Sequence, residues 1–233
     1  DGYGNALIMT RTVQEFEKTG VAGIHIEDQR VPKRCGHLAG KTILSREEAC
    51  GKVRAAVDSR VDPDFFIIAR TDAESCIGGS LEESIERGKL YYASGADMIW
   101  PEFGRPDREP VVRFAEGIKK VYPDVPLGFN YSSSFKWNEI QNPLNFRELG
   151  QLGYKYIFVT LGAIHAAMFA EWEFMTDLVK MEEGAQLVLQ HIKKDHPTES
   201  HHIMGDIAHW KEIEEKYLPQ EQLKEKYGIK KTL

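Results

Sequence analysis

Residues 65–72, Phe65-Phe66-Ile67-Ile68-Ala69-Arg70-Thr71-Asp72, join an unbroken apolar run directly to a guanidinium, a hydroxyl and a carboxylate. A run this short and uniformly apolar suits a β-strand over residues 65–70 covered on both faces, as a parallel strand between helices is. The same signal recurs at residues 22–27, 97–100, 125–129 and 156–160. Amphipathic helix patterns separate these runs, near residues 45–59, 81–94, 110–121 and 143–152. Two of them open on capping boxes, Ser45 with Glu48 and Ser80 with Glu83. A helix over 10–19 precedes the first strand, and Gly2-Tyr3-Gly4-Asn5 before it reads as a loop that follows a strand, so the chain starts within a βα unit.

Working outward, the end of every strand carries chemistry. The first closes on His25, Glu27, Asp28 and Gln29, the second on Arg70, Thr71 and Asp72, the third on Trp100 and Glu102. The fourth leads into Asn130, Tyr131, Ser132, Ser133, Ser134, Phe135, Lys136 and Trp137, and the fifth ends at Thr160. Polar groups at one switch point would indicate an open doubly wound sheet, whereas polar groups after each strand indicate an α/β barrel with a mouth ringed by βα loops. A (β/α)8 TIM-like barrel is therefore expected, with five strands in this sequence and about three lying outside it. The expected organisation is a partial barrel over 1–162 and a helical extension over 163–233. Within the extension, helical runs near 165–191, 206–217 and 220–226 would pack on the barrel or a partner subunit.

With 233 residues, 42% hydrophobic and 28% charged, the chain can bury one large core. A net charge of −6 argues against nucleic acid, which requires a concentrated basic face. No apolar stretch reaches the roughly 20 residues of a membrane span. Three irregularly spaced cysteines make no disulfide framework and fit a reducing compartment. The lone Gly2-x-Gly4 lacks a preceding strand and third glycine, so it is no nucleotide fingerprint. His191, His196, His201 and His202 have no zinc-ligand spacing with cysteine.

Among the cysteines, Cys35 stands out. Pro32-Lys33-Arg34-Cys35-Gly36-His37 sets a thiol among two cations and an imidazole, surroundings that stabilise a thiolate and lower a pKa that starts near about 8.5. Cys50 sits in a helical pattern among Ala49, Val53 and Ala56 and reads as packing, and Cys76 lies in a loop without neighbouring cations in sequence. The hydroxyls, amide and guanidinium at the strand ends suit a small substrate with several carboxylates, because arginine grips a carboxylate with paired bonds. Glu27 with other acids suits a hard cation such as Mg²⁺. Arg70 and Glu27 could equally form a structural ion pair.

The run Lys33-Arg34-Cys35-Gly36-His37-Leu38-Ala39-Gly40-Lys41 resembles the signature loop of the isocitrate lyase and phosphoenolpyruvate mutase superfamily, which includes 2-methylisocitrate lyase. Residues 2–5, 25–29, 69–73, 100–102, 130–137 and 160–161 resemble family motifs in the family's order. The cysteine loop is similar to that of the lyases. Asn130, Ser132 and Ser134 fall where isocitrate lyases hold a substrate carboxylate. Ser133 departs from the pattern, standing where proline is common.

The resemblance implies Mg²⁺-assisted cleavage of isocitrate to succinate and glyoxylate, with Mn²⁺ as a substitute. It implies catalytic roles for Cys35 as general acid and for His37, Glu27 and His25, the last orienting Glu27 or the loop unless it is a structural histidine. Substrate contacts would come from Gly36, Arg70, Trp100, Glu102, Asn130, Ser132, Ser134 and Thr160, with Gly36 and Gly40 as loop hinges. Glu27 would ligate the metal, and the remaining ligands would lie upstream of residue 1, since Asp1 sits beside the family's metal-binding aspartates without being one. A cytoplasmic homotetramer of the glyoxylate cycle is expected, with a glyoxysome or peroxisome also compatible. The alternatives are 2-methylisocitrate lyase or another superfamily lyase, and a non-catalytic truncated barrel subunit.

Overall fold

A computed structural model describes residues 1–227, so residues 228–233 of the expected extension lie outside the described residues. The chain divides into two compact units, Asp1–His165 and the part from Ala166 onward. The first unit runs α1 (Ala6–Lys18), β1 (Gly23–Glu27), α2 (Arg46–Ser59), β2 (Phe66–Thr71), α3 (Leu81–Ala93), β3 (Met98–Pro101), α4 (Arg108–Lys119), β4 (Leu127–Asn130), α5 (Phe146–Leu152) and β5 (Tyr154–Phe158). The five strands pair in parallel in sequence order, the arrangement that repeated βα units produce when each crossover returns the chain beside the strand it left.

Strand alternation explains what each face holds. Ile67, Ile99 and Leu127 are fully buried, in one core cluster with Met9 and Val13 of α1, Val53 and Ala56 of α2, and Phe114 and Ile118 of α4. Each such side chain removed from water contributes about 1.5–3 kcal/mol, so this layer is the main support of the sheet. His25, Ile68, Trp100 and Phe158 instead line a cavity of about 630 Å³. The register then sets the site: Glu27 pairs across from Arg70, and Arg70 from Trp100, so charged side chains meet at the carboxyl ends of adjacent strands.

The helix starts differ in detail from the capping pattern. Ser45 and Ser80 each accept from the backbone N–H of the glutamate three residues on, Glu48 and Glu83. The complete reciprocal box is at α5, where Asn145 and Glu148 satisfy each other's backbone N–H groups. The first helix begins at Ala6 because Asn5 caps it, four residues earlier than the apolar pattern alone indicates. β5 begins and ends two residues before its expected bounds, leaving Thr160 in the turn beyond it.

The later helices are α6 (Gly162–Met181), α7 (Glu183–Ile192), α8 (His201–Met204), α9 (Ile207–Tyr217) and α10 (Gln220–Tyr227). The single helical run expected over 165–191 is interrupted at Glu182, whose φ of 53° is left-handed and cannot continue an α-helix. No side chain of α6 is buried, and Met168, Phe169, Trp172 and Val179 are all more than half exposed.

Candidate active site

The strand ends carry an alternating lattice of charge. Arg70 Nε donates to Asp72 Oδ2 at 2.9 Å and Nη2 to Asp72 Oδ1 at 3.1 Å, a two-bonded grip. The same guanidinium lies 3.3 Å from Glu27 Oε2 and 3.3 Å from Glu102 Oε2. Lys33 Nζ is 2.9 Å from Glu27 Oε1, and Lys41 Nζ is 3.0 Å from Asp72 Oδ1. Three buried acids, Glu27, Asp72 and Glu102, thus face three permanent cations. The face of Trp100 closes the group from one side, with the Arg70 guanidinium carbon 5.2 Å from its ring centre. Arg70 and Glu27 form the expected ion pair, among the other predicted site residues.

Gly36 is pressed into this lattice. A Cβ there would lie 2.5 Å from Arg70 Nη2 and 2.6 Å from Glu102 Cγ, so glycine is required by close approach. Gly40 has a φ of +83° and supplies the turn at the loop's far end. Beyond Gly36, His37 packs at a tilt against Phe135, ring centres 4.3 Å apart, and sets Nε2 2.9 Å from Glu102 Oε1. Cys35 itself is an exposed free thiol. The groups that flank it in sequence have other partners: Lys33 reaches Glu27, Arg34 Nη1 donates to the Ala39 carbonyl at 2.8 Å, and His37 reaches Glu102.

Strands four and five add an amide and a hydroxyl. Asn130 Nδ2 donates to Glu102 Oε1 at 3.2 Å, and Thr160 Oγ1 donates to Asn130 Oδ1 at 2.6 Å. Ser132 is turned inward, fully buried, its hydroxyl accepting the Ser134 N–H at 3.1 Å while its carbonyl accepts Trp137 Nε1 at 2.9 Å. Ser134 is exposed. Glu27, Gly36, His37, Arg70, Trp100, Glu102, Asn130 and Thr160 are therefore brought together, whereas Ser132 shapes its own loop and Ser134 faces outward.

Beneath the lattice lies a support that sequence reading missed. Asp28 accepts from the Asp72 N–H at 2.9 Å, Thr71 Oγ1 at 2.8 Å, Tyr91 Oη at 2.6 Å and Arg87 Nη1 at 3.3 Å. Burial pushes its carboxyl pKa up, and these donors offset part of that rise. Asp72, Lys33 and Lys41 were likewise not identified as site residues. Asp72 gives a signal, two positions from Arg70 at a strand end, but the lysines sit in a loop whose path no periodicity encodes.

Acid–base states follow from the packing. Burial pushes Asp72 up, but Arg70 and then Lys41 outweigh it and hold its pKa below the usual carboxylate value. His25 packs at a tilt against Trp100, ring centres 4.7 Å apart, and remains exposed to the cavity. Desolvation of its ring, aided by the Arg70 charge, lowers its pKa to about 4, so it is neutral at pH 7. Cations do approach Cys76, contrary to its sequence surroundings, with Lys41 and Arg87 both acting on it. Burial nevertheless raises its pKa, so it stays a thiol.

Three polar atoms in the lattice are buried without an aligned hydrogen bond: Glu27 Oε1, Glu102 Oε2 and His37 Nε2. Glu27 Oε1 and Glu102 Oε2 lie close to Lys33 and Arg70 but off the direction of a hydrogen bond, so Coulomb attraction holds them while their directional capacity is unused, and His37 Nε2 lies beside Glu102 Oε1. Among the described residues no three His, Cys, Asp or Glu side chains converge as a ready metal cluster. Glu27 Oε1 still suits a hard cation as one carboxylate ligand beside water, the usual pattern for Mg²⁺.

The site thus sets buried acids, an arginine and a cysteine loop at the carboxyl edge of a parallel βα sheet. A profile of the phosphoenolpyruvate phosphomutase family matches residues 1–178, and the chain belongs to the superfamily of phosphoenolpyruvate mutase and isocitrate lyase, whose fold is the TIM barrel. It is 48% identical to an isocitrate lyase of Haloferax volcanii over 94% of this chain and 64% of that one. It is 40% identical to a 2-methylisocitrate lyase of Shewanella oneidensis over 79% of this chain and 59% of that one. Among solved structures, a phosphonopyruvate hydrolase in complex with oxalate and Mg²⁺ superposes with a TM-score of 0.67 at 27% identity, covering 94% of this chain and 70% of that one. The chain thus spans about three-fifths of the length of these curated relatives. Among the described residues no helix is long and apolar enough to cross a membrane.

Proposed function

We propose that the protein is a lyase that cleaves isocitrate to succinate and glyoxylate. The observation that carries this is the seating of Gly36 against Arg70 and Glu102, which puts the backbone of the Cys35 loop in contact with the carboxylate-binding cation. Transfer of the substrate hydroxyl proton to a base outside this set of site residues lets the carbon–carbon bond break: the freed oxygen pair forms the glyoxylate carbonyl, and the pair of the broken bond is left on the succinate half as an enediolate. Arg70, His37 and the Asn130–Thr160 pair hold the substrate carboxylates, and Cys35 gives its thiol proton to the carbanion carbon as general acid. His25, neutral at working pH, orients the substrate side of the cavity. Closure of the loop excludes water from the mouth.

The charge balance supports a metal. Resident acids already neutralise resident cations, so a di- or tricarboxylate would bring uncompensated negative charge. Glu27 would hold Mg²⁺ or Mn²⁺ through Oε1, and the ion would supply Lewis-acid stabilisation of charge developing on the glyoxylate half.

The test is glyoxylate release from isocitrate, with and without Mg²⁺, by wild type and Cys35→Ser. Turnover by wild type alone, reduced about 10²–10⁴-fold in the variant, supports the reading. Equal rates would remove the thiol from the mechanism, and silence in both would favour a non-catalytic barrel subunit. The kinship with a 2-methylisocitrate lyase favours one competing reading, a methylated substrate, decided by comparing the two substrates in the same assay. The exposed apolar side chains of α6, Met168, Phe169, Trp172 and Val179, support homo-oligomerisation through the C-terminal helices, from residue 163 on. Sedimentation as a monomer would contradict that.

A further inference from the structure

The backbone on both sides of Cys35 is clamped by buried side chains that reach up from beneath the loop. On one side Gln29, 1% exposed, accepts the Arg34 N–H through Oε1 at 2.9 Å and donates from Nε2 to the Arg34 carbonyl at 3.0 Å, so both polar groups of that residue are held by a single amide. On the other side Lys41, also 1% exposed, donates to the Gly36 carbonyl. The same ammonium donates to Asp72 Oδ1 at 3.0 Å and to Ser75 Oγ at 2.8 Å, so its three protons are all engaged. Asp72 is in turn fixed by the two-bonded Arg70 and by Asp28 beneath its N–H. The residue between these clamped neighbours carries the exposed thiol.

We propose that Gln29 and Lys41 are positioning residues that set the place of Cys35 over the strand-end charges, with Lys41 tying that place to the Arg70–Asp72 pair. Burying a lysine is costly unless its charge is paired and every proton is bonded. Lys41 meets that condition, and one of the three bonds by which it does so is made to the loop backbone at Gly36. Gln29 similarly uses its whole amide on one residue of the loop. The inference rests on Cys35 as the working acid only for its kinetic consequence, and the loop geometry can be measured without substrate.

The experiment uses the full chain with Gln29→Leu, Lys41→Met and Lys41→Arg. The rate of Cys35 alkylation by iodoacetamide is read at that residue by mass spectrometry, alongside kcat and KM for isocitrate. Release of either clamp should change Cys35 alkylation several-fold, with Cys50 unchanged in both variants and Cys76, which Lys41 also approaches, unchanged in Gln29→Leu. It should also lower kcat on the order of 100-fold, the scale of a 1 Å misplacement, while KM moves far less. Lys41→Arg, which keeps charge and donors, should recover part of both.

Unchanged alkylation at Cys35 in folded Gln29→Leu and Lys41→Met overturns the proposal, as does a rise shared equally by all three cysteines. If Lys41→Met yields no folded protein, Gln29→Leu decides alone. If wild type does not cleave isocitrate, the functional reading fails while the alkylation result still supports or overturns the clamp.

Discussion

Replacing Arg70 by methionine removes the cation that three buried acids share while keeping most of the side-chain volume. Removing one partner of a buried ion pair costs about 3–5 kcal/mol. The lower end applies, because each acid keeps another partner: Glu27 has Lys33, Asp72 has Lys41 and Glu102 accepts from the Asn130 amide. A loss of about 3 kcal/mol at a urea dependence of about 3 kcal/mol per molar moves the unfolding midpoint down by about 1 M. The loss also depends on pH. Asp72 has a depressed pKa in the folded protein, so its contribution is present above the unfolded value near about 3.9 and vanishes as pH falls through the folded one. Arg70 is the largest influence lowering that pKa, so in Arg70→Met the carboxyl rises and the acid limb of stability moves to higher pH. Urea titrations at pH 7 and pH 5, followed by circular dichroism, should show the variant losing more stability between the two than wild type, whose own decline comes from His25. A variant within about 1 kcal/mol of wild type at pH 7, with no shift of the acid limb, would refute the view of Arg70 as the hub of the lattice.

Gly36→Ala places a methyl group 2.5 Å from Arg70 Nη2 and should lift the loop, lowering turnover on the order of 100-fold at little cost in unfolding midpoint, and wild-type turnover would disprove the close seating. The His25 ring, followed by NMR, should titrate near about 4, far below the ordinary 6.5. Because the unfolded histidine binds a proton first, stability should fall as pH drops from 6.5 toward 4, and His25→Gln should flatten that window; titration at 6.5 would show the ring to be freely hydrated. Asn145→Ala removes the complete capping box and should cost about 1 kcal/mol, read as a shift in the unfolding midpoint, with an unchanged midpoint arguing that α5 is held by packing alone.

The strand runs were legible because a strand buried on both faces leaves an apolar signature, and Phe66–Thr71 follows residues 65–70 closely. Polar strand ends revealed Glu27, Arg70, Glu102 and Asn130 as one neighbourhood, since parallel pairing in order brings equivalent ends together. What stayed hidden depends on the third dimension. Nothing in the spacing of Lys41 tells that its ammonium folds back under Gly36, and Asp28, adjacent to Glu27, points to the opposite side of the strand because alternation sends it there. The two serines show the converse: their hydroxyls looked like parallel donors in sequence, yet one is buried in a turn and the other faces outward. The left-handed residue at Glu182 breaks a helix whose composition contains no glycine or proline at that point.

The ring of acids around Arg70 means that this guanidinium already grips an internal imitation of a carboxylate ligand. On the proposed function, a polycarboxylate would gain only the difference between its own grip and that of Asp72, Glu27 or Glu102, so tight ground-state capture would be traded for rapid exchange. A newcomer that shifts Glu102 also tugs Asn130, Thr160 and His37, which makes occupancy on one side of the mouth perceptible on the other.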